Sequence, residues 1–410
     1  MQDIQDGRCE TGGGTSAGAA SLRSSSYRII TGFGLVSLLA DFTYEGARSL
    51  AGPFLASLGA GAATVATVAG AGEFAGQGLR LVFGPLADRT GAYWTFTVLG
   101  YALNLLAVPL LALAGRWELA ALLLILERVG KAIRAPARDA LLAQATAHVG
   151  HGKGFGIHEA LDQIGAVTGP VFLALGVFWS GSMRTGFALL GFPAVAAMAM
   201  LWTVRRRYIG LQNVGVPKLK TSSQRSSSLG ALPRSFWFTV AGVACLSAGF
   251  ADFALIAFHV ERQALISVAW IPVFYALLMG SDGLAALILG RWFDRNPRLC
   301  LSFTALAAAA APPFLFSGDL GSLAVGGLLW AVSLGGQESI LRARVAQVVG
   351  ETARGTAFGI FQALYGGAWF AGSAVLGLLY ASSFPLFLAF GVTLPVVGAV
   401  VLAISPSRAA

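Results

Sequence analysis

Charged residues are scarce in this chain of 410 residues: only 11% are Asp, Glu, Lys or Arg, whereas 56% are hydrophobic. A soluble domain usually has about a quarter of its residues charged. So few charges could not cover the surface of a soluble protein of this length. Apolar runs of about 20 residues recur instead, and each is long enough to cross a hydrocarbon core about 30 Å thick. The composition therefore predicts a polytopic membrane protein.

Several other patterns are missing. The apolar runs do not alternate with polar residues, which argues against a membrane β-barrel. The three cysteines, Cys9, Cys245 and Cys300, show no metal spacing or disulfide framework, and the four histidines form no ligand pattern. The phosphate-binding pattern GxxxxGK followed by Ser or Thr does not occur, so direct use of ATP is not expected. We expect no cofactor, no metal and no enzymatic activity.

Twelve apolar runs predict an all-α polytopic membrane protein with twelve transmembrane helices. Residues 207–233 form a polar cytoplasmic linker, so that 27–206 and 234–406 are two six-helix bundles. Residues 1–26 are rich in Gly and Ser, lack the apolar core of a secretory signal, and are predicted to be a disordered cytoplasmic tail. The predicted spans are 29–58, 60–86, 92–114, 117–146, 152–180, 183–206, 234–263, 266–292, 297–317, 320–346, 353–381 and 384–406.

The basic residues predict the orientation. With the N-terminus inside, 21 of the 28 basic residues lie on the inner side and three on the outer side. Because short cytoplasmic loops are enriched in Lys and Arg, both termini are predicted to be cytoplasmic, in a protein of the cell membrane. The net charge of +9 is then explained by the basic residues of the cytoplasmic loops, which also attract anionic lipid headgroups. Nucleic-acid binding is not expected.

Two short motifs occur once in each half. Residues 84–91 read GPLADRTG and residues 290–295 read GRWFDR, and both contain GxxxDR, 206 residues apart. Residues 155–161 read FGIHEAL and residues 358–364 read FGIFQAL, 203 residues apart. The shared order and nearly equal offset predict a duplicated six-helix unit. In membrane proteins built from such repeats, a binding site is expected near the bilayer midplane, between the repeats.

Together with the twelve spans, the GxxxDRxG of 84–91 resembles the signature loop between the second and third helices of the major facilitator superfamily. The resemblance covers about 29–406 and implies two bundles around a central cavity that work by alternating access. Where the family usually has basic residues, 92–94 read AYW, so we expect a different charge relay, through Arg89 and Asp139. The predicted gating residues are Gly84, Asp88, Arg89, Gly91, Asp139, Gly290, Asp294 and Arg295.

The fifth span carries Gly156, Gly165, Gly169 and Pro170, which resemble the Gx8Gx3GP motif of proton-coupled antiporters in that superfamily. Leu173 and Ala174 stand where the motif has its final glycine pair. Small residues at every fourth position also permit close packing in any membrane protein. Both interpretations stay open from the sequence.

Charged residues inside the spans lie in stripes: Asp41, Glu45 and Arg48 fall within about 60° of one another on a helix. An unpaired charge at the bilayer centre costs on the order of 3 kcal/mol, so these stripes are expected to face the bundle interior. The predicted proton-coupling and cavity residues of the first half are Asp41, Glu45, Arg48, Glu73, Arg80, Glu127, Arg128, Lys131, Glu159 and Asp162. Acids outnumber bases among them, and a leftover buried acid can take up a proton near neutral pH. Fixed salt bridges are the alternative.

The second half is poorer in charge, and its predicted cavity residues are Asp252, His259, Asp282 and Glu338. We therefore expect coupling chemistry in the first half and apolar substrate contact from aromatic residues in the second. The leading hypothesis is a monomeric secondary transporter that exchanges protons for an exported amphipathic small molecule. The alternatives are proton-coupled symport of an anionic metabolite, held by Arg48, Arg128 and Lys131, and a membrane sensor or assembly factor that does not transport.

Overall fold

The computed structural model describes residues 14–146, 149–212, 232–349 and 354–405, and every regular element within these ranges is helical. Two short 3₁₀ turns, 111–113 and 268–270, accompany the α-helices. The α-helices are α1 (Gly14–Ser57), α2 (Ala62–Gly78), α3 (Arg80–Thr90), α4 (Tyr93–Leu110), α5 (Trp117–Thr146), α6 (His151–Ser180), α7 (Met183–Leu189), α8 (Gly191–Gln212), α9 (Arg234–Gly249), α10 (Phe253–Arg262), α11 (Ile271–Arg295), α12 (Pro297–Leu315), α13 (Leu320–Val348), α14 (Arg354–Ser382) and α15 (Phe384–Ile404).

These helices make twelve membrane spans, as predicted. Three spans consist of two helices each, α2 with α3, α7 with α8 and α9 with α10, because the helix is interrupted within the span. Nine spans are long and apolar enough to cross a membrane by composition alone. The other three are formed by α1, by α2 with α3 and by α5, and each carries charged residues within its apolar stretch, such as Glu45, Glu73 and Arg128. Such residues lower the mean hydropathy of a span.

The two halves repeat the same helix pairs. In the first half α1 packs on α6 and α8, and α4 packs on α5; in the second half α9 packs on α14 and α15, and α12 packs on α13. Between the halves, α2 lies along α14 and α6 lies along α11. An added Cβ at Gly169 would come within 2.0 Å of the Phe42 carbonyl oxygen, and one at Gly372 within 2.0 Å of the Ala248 carbonyl oxygen. The repeat therefore includes the closest helix contacts.

Two predicted boundaries were wrong. Helix α1 begins at Gly14, so residues 14–26, predicted as part of a disordered tail, are helical. Helix α8 continues to Gln212, into the predicted linker. The apolar pattern marks where a helix enters the membrane, whereas polar residues such as Ser and Arg can continue the same helix beyond it. Residues 1–13 and 213–231, and the predicted span ends at 353 and 406, lie outside the described residues.

Both copies of the GxxxDR motif lie in helices or at their ends, although the sequence placed them in loops. The residues concerned are Gly84, Asp88, Arg89, Gly91, Gly290, Asp294 and Arg295. Helix α3 ends at Gly91, whose φ of 65° is in the left-handed region that glycine tolerates. The Tyr93 hydroxyl donates a hydrogen bond to Asp88 Oδ1 at 2.9 Å, which joins the end of α3 to the start of α4.

The face at which α1 begins and α5, α11 and α13 end is called the basic face, because it carries arginines such as Arg89, Arg206 and Arg291. At the opposite face the halves pack closely. An added Cβ at Gly52 of α1 would lie 2.0 Å from the Ala254 carbonyl oxygen of α10, and one at Gly377 of α14 would lie 2.7 Å from the Ala66 side chain of α2. The space between the halves is therefore closed at the opposite face.

Candidate functional site

A cavity of about 220 Å³ lies between the two halves and opens toward the basic face. Helices α1, α2, α5 and α6, with the first residue of α3, form one wall, and α11, α13 and α14 form the other. Its charged lining residues are the acids Asp41, Glu45, Glu73, Asp139, Glu159, Asp162, Asp282 and Glu338 and the bases Arg48, Arg80, Lys131, Arg134, Arg138 and Arg342. A cavity lined by both signs of charge suits a polar or charged ligand.

Arg48 is the centre of an ion-pair network at the closed end of this cavity. Its guanidinium lies 3.0 Å from the Glu73 carboxylate, 3.4 Å from the Asp252 carboxylate and 3.9 Å from the Glu45 carboxylate. Asp252 belongs to the second half, where it also accepts a hydrogen bond from the Ala254 amide at 2.9 Å and so caps α10. The Arg48–Asp252 pair therefore joins the two halves.

Two hydrogen bonds join the halves near this pair. The Tyr275 hydroxyl of α11 donates to Glu45 Oε2 at 2.5 Å, and the Gln163 amide of α6 donates to the Met279 carbonyl oxygen at 2.6 Å. From the sequence, Tyr275 is one of the aromatic residues expected to contact substrate, and its hydrogen bond to Glu45 was not predicted. Gln163 follows Asp162 in the polar stretch of α6, which was the available signal.

Glu127 and Arg128 do not line the main cavity, contrary to the prediction. They line a smaller cavity of about 40 Å³ among α1, α2, α4 and α5. Arg128 lies 3.2 Å from Glu127 and 3.4 Å from Glu73, and the Asn104 side-chain amide donates to Glu127 Oε1 at 2.6 Å. Asn104, a polar residue in an otherwise apolar helix, was the sequence signal for this network. These contacts direct the Glu127 carboxylate and the Arg128 guanidinium toward the interior of the N-terminal bundle.

Two charged residues of the cavity, Asp41 and Lys131, are paired less closely. Arg134 lies 4.0 Å from Asp41, the longest ion pair among the described residues, and its guanidinium packs on the Tyr101 ring at 4.3 Å. Lys131 contacts the Tyr44 hydroxyl at 2.9 Å and forms no ion pair with another described residue. Asp41 and Lys131 therefore keep much of their charge available to a ligand or a proton.

Three acids of the cavity, Glu159, Asp282 and Glu338, form no ion pair with any residue in the described ranges. Asp282 is buried, and its Oδ1 has no hydrogen-bond partner in the described part of the chain. The α14 side of the same cavity is aromatic: Tyr365 stacks on Phe361 and meets Trp369 edge-on, with ring centroids 5.9 and 5.6 Å apart. Open carboxylates and aromatic rings thus share one cavity. This combination can hold an organic cation.

The predicted span 234–263, which contains the predicted cavity residues Asp252 and His259, is not one continuous helix. It is interrupted after Gly249, and Asp252 precedes α10. His259 lies in a pocket at the opposite face, where its Nδ1 is 2.7 Å from the Tyr380 hydroxyl. Only Asp252 reaches the ion-pair network.

The predicted relay between Arg89 and Asp139 is not formed. Asp139 pairs with the adjacent Arg138 at 2.8 Å, and exposed Arg89 forms no ion pair within the described residues. Arg80, also predicted for the cavity, lines it and donates to the Gly76 carbonyl oxygen at 3.0 Å. The parts of the chain that the structure covers contain no group of three or more His, Cys, Asp or Glu that could hold a metal ion.

Helix packing accounts for two of the three glycines in the antiporter-like motif. An added Cβ at Gly165 would come within 2.2 Å of the Leu38 carbonyl oxygen, and Gly169, followed by Pro170, approaches α1 equally closely. Gly156 has no atom near its added Cβ. The motif therefore has a structural role in joining α1 to α6.

Comparisons with known proteins agree with this architecture. Residues 33–282 match the family model described as Major Facilitator Superfamily. An uncharacterised protein of Mycobacterium tuberculosis is 40% identical over 364 residues, covering 88% of this chain and 89% of that protein. An uncharacterised MFS-type transporter of Methanocaldococcus jannaschii is 24% identical over 384 residues, covering 90% and 92%. The crystal structure of a peptide transporter, POT, in complex with sulfate superposes with a TM-score of 0.74 at 14% identity, covering 92% of this chain and 94% of that one.

Proposed function

Because this chain belongs to the major facilitator superfamily of secondary transporters, we propose that it exports an amphipathic small molecule bearing an amine, in exchange for protons. The cavity between the halves is the proposed binding site. The basic face is the proposed cytoplasmic face, because cytoplasmic loops are enriched in Lys and Arg. The cavity then loads its substrate from the cytoplasm of a cell whose plasma membrane holds the protein.

The carboxylates without an ion pair are the main support for the proposed substrate class. Glu159, Asp282 and Glu338 form no ion pair with other described residues, so they can pair with a protonated amine. The rings of Tyr365 and Trp369 can cover its apolar part and contribute cation–π attraction. Symport of an anion is less well supported, because Arg48 and Arg128, the arginines proposed to grip it, each lie within 3.4 Å of a carboxylate.

Asp41 is the proposed proton-exchanging group. It lines the cavity and has the longest ion pair, so among the ion-paired acids of the cavity it loses the least stabilisation when it becomes neutral. The other carboxylate of this stripe, Glu45, is held by the Tyr275 hydroxyl and by Arg48. A proton on Asp41 and a cationic substrate both reduce the negative charge of the cavity. Each therefore disfavours binding of the other, which is the requirement for antiport.

The test uses inverted membrane vesicles that carry the protein, an imposed pH gradient and a pH-sensitive dye. Amphipathic amines, neutral sugars and carboxylates are added in turn. We expect an amine to release protons from the vesicle lumen, with the response abolished by Asp41→Asn. The matched control, Glu118→Gln, changes an exposed acid at the opposite face and should respond like the wild type.

The other outcomes separate the hypotheses. A full amine response by Asp41→Asn removes Asp41 as the coupling group. A response to carboxylates alone assigns anion transport and contradicts the amine proposal. If folded wild-type protein at normal abundance responds to no compound in the panel, proton-coupled amine export is contradicted.

A further inference from the structure

A second cavity, of about 700 Å³, lies at the basic face of the second half and is separate from the cavity between the halves. The ends of α11, α13 and α15 and the beginning of α12 surround it. Three arginines line it, Arg295, Arg298 and Arg344, with a single acid, Asp294. Arg295 and Arg298 are exposed at its mouth, whereas Arg344 is only 2% exposed and donates to the Ser405 hydroxyl at 3.2 Å. The pocket thus concentrates positive charge.

The N-terminus of α12 adds to this positive potential. Helix α12 begins at Pro297, and no side chain caps its first turn. The first amide N–H groups of a helix have no acceptor within the helix and favour an anion. The amides of Arg298 and Leu299 belong to this turn, so the guanidinium groups and the helix N-terminus occupy the same pocket.

Apolar side chains adjoin the pocket on the membrane-facing surface. On α12, Leu299 is 63% exposed and is followed on the same stripe by exposed Phe303. On α15, which packs against α12, Ile404 is 64% exposed and Val400 is also exposed. A ligand with an anionic head and an apolar tail fits this arrangement, because its head can enter the pocket while its tail follows α12 and α15.

The corresponding helix of the first half begins with different side-chain packing. At the repeat offset of 206 residues, Trp94 of α4 corresponds to Cys300 of α12. The Trp94 ring stacks on Phe33 and meets Tyr208 edge-on, with ring centroids 5.7 and 5.3 Å apart. Cys300 is a much smaller side chain and is fully buried. The two repeats therefore differ at the start of this helix.

We propose that this pocket binds the phosphate headgroup of an anionic phospholipid from the leaflet at the basic face. Arg295 and Arg298 donate hydrogen bonds to the phosphate oxygens, and the first turn of α12 faces the same group. The acyl chains lie against Leu299 and the exposed residues that follow it. Basic pockets between transmembrane helices suit such headgroups, and this site is independent of which solute the protein carries.

The experiment measures lipid binding to the purified full-length protein in detergent by native mass spectrometry. Phosphatidylglycerol is compared with phosphatidylcholine, with inorganic phosphate added as a competitor. The test variant is Arg295→Ala with Arg298→Ala. The matched control is Arg206→Ala with Arg291→Ala, which removes two exposed arginines from the same face outside the pocket.

We expect the wild type to prefer phosphatidylglycerol, and the pocket variant to bind it about thirtyfold more weakly, as the loss of two basic residues near an anionic lipid implies. The control pair should stay within about twofold of the wild type, because neither Arg206 nor Arg291 lines the pocket that holds the headgroup. Equal weakening in both pairs would assign the binding to general surface charge and overturn the proposal. Millimolar phosphate that displaces the lipid would show a free-anion site, which also contradicts it. If the double variant does not fold, Arg298→Ala alone is compared with Arg298→Lys, which should retain binding.

Discussion

The two halves of this protein have the same helix pairs but differ in how their charged residues are paired. In the first half, Arg48 and Arg128 share Glu73, and Glu127 is held by Asn104. In the second half, Asp282 and Glu338 form no ion pair within the described ranges, and aromatic rings replace the ionic contacts. The cost of burying an isolated charge explains why the first network is so closely paired. Of the two unpaired acids, Asp282 is buried, whereas Glu338 is exposed in the cavity, where a ligand can reach it.

The largest expected effect comes from removing the central residue of the ion-pair network in the first half. Arg48→Ala removes the partner of three carboxylates at once, and loss of one partner from a buried ion pair typically costs about 3–5 kcal/mol. We expect a large fall in the thermal midpoint of the detergent-solubilised protein and no transport. Arg116→Ala, at an exposed position of the opposite face, is the control. An unchanged midpoint for Arg48→Ala would show that the network does not stabilise the fold.

A second pair of variants tests whether the halves are equivalent in packing. Gly169→Ala and Gly372→Ala each place a methyl group 2.0 Å from a backbone carbonyl oxygen, so the helices must separate. Overpacking of this kind costs about 1–3 kcal/mol, and we expect similar falls in thermal midpoint for both. Gly156→Ala, with open space around the added carbon, should be nearly neutral. If only one of the two substitutions lowers the thermal midpoint, the halves share their topology but not their close helix packing.

Neutralising the unpaired acids should affect the ligand more than the fold. We expect Glu338→Gln to weaken binding of an amine substrate about tenfold, the loss of one charge-assisted contact. The same change should leave the thermal midpoint of the empty protein nearly unchanged. Binding is measured by tryptophan fluorescence, and a neutral analogue of the same amine is the control ligand. Equal weakening for the amine and the neutral analogue would exclude a charge contact.

The smallest expected effect concerns a link between the halves. Tyr275→Phe removes the hydroxyl that donates to Glu45 and leaves the ring packing on Phe253, with ring centroids 4.4 Å apart. A hydrogen bond to a charged group contributes about 1.5 kcal/mol, so we expect a roughly tenfold shift toward the state open at the opposite face. A cysteine at Leu55, a buried position near the same end of α1 where the new side chain is smaller than the native one, reports the change through its labelling rate from that face. A labelling rate equal to that of the Leu55→Cys parent would show that this bond does not hold the halves together.

Several parts of the site were predictable because they depend on local sequence. Asp41, Glu45 and Arg48 recur at helical spacing, so they share one side of α1, and the energetic penalty of lipid exposure directs that side inward. Glu159, Asp282 and Glu338 line the cavity for the same reason. Other residues were misplaced or missed. Arg128 was predicted to line the main cavity, but it lines the smaller one, where it pairs with Glu127 and with Glu73 of another helix.

The sequence by itself determined the membrane class, the twelve spans, the duplication and the charged stripes, because hydrophobic length and helical periodicity act within one segment of chain. Only the tertiary structure decided which charges meet. The Arg48–Asp252 pair joins residues 204 positions apart, and it depends on the interruption between α9 and α10 that places Asp252 before a new helix. The open arginine pocket of the second half likewise depends on which side chains its neighbours contribute. Contacts between distant helices are set by packing and mutual electrostatics, which no single segment encodes.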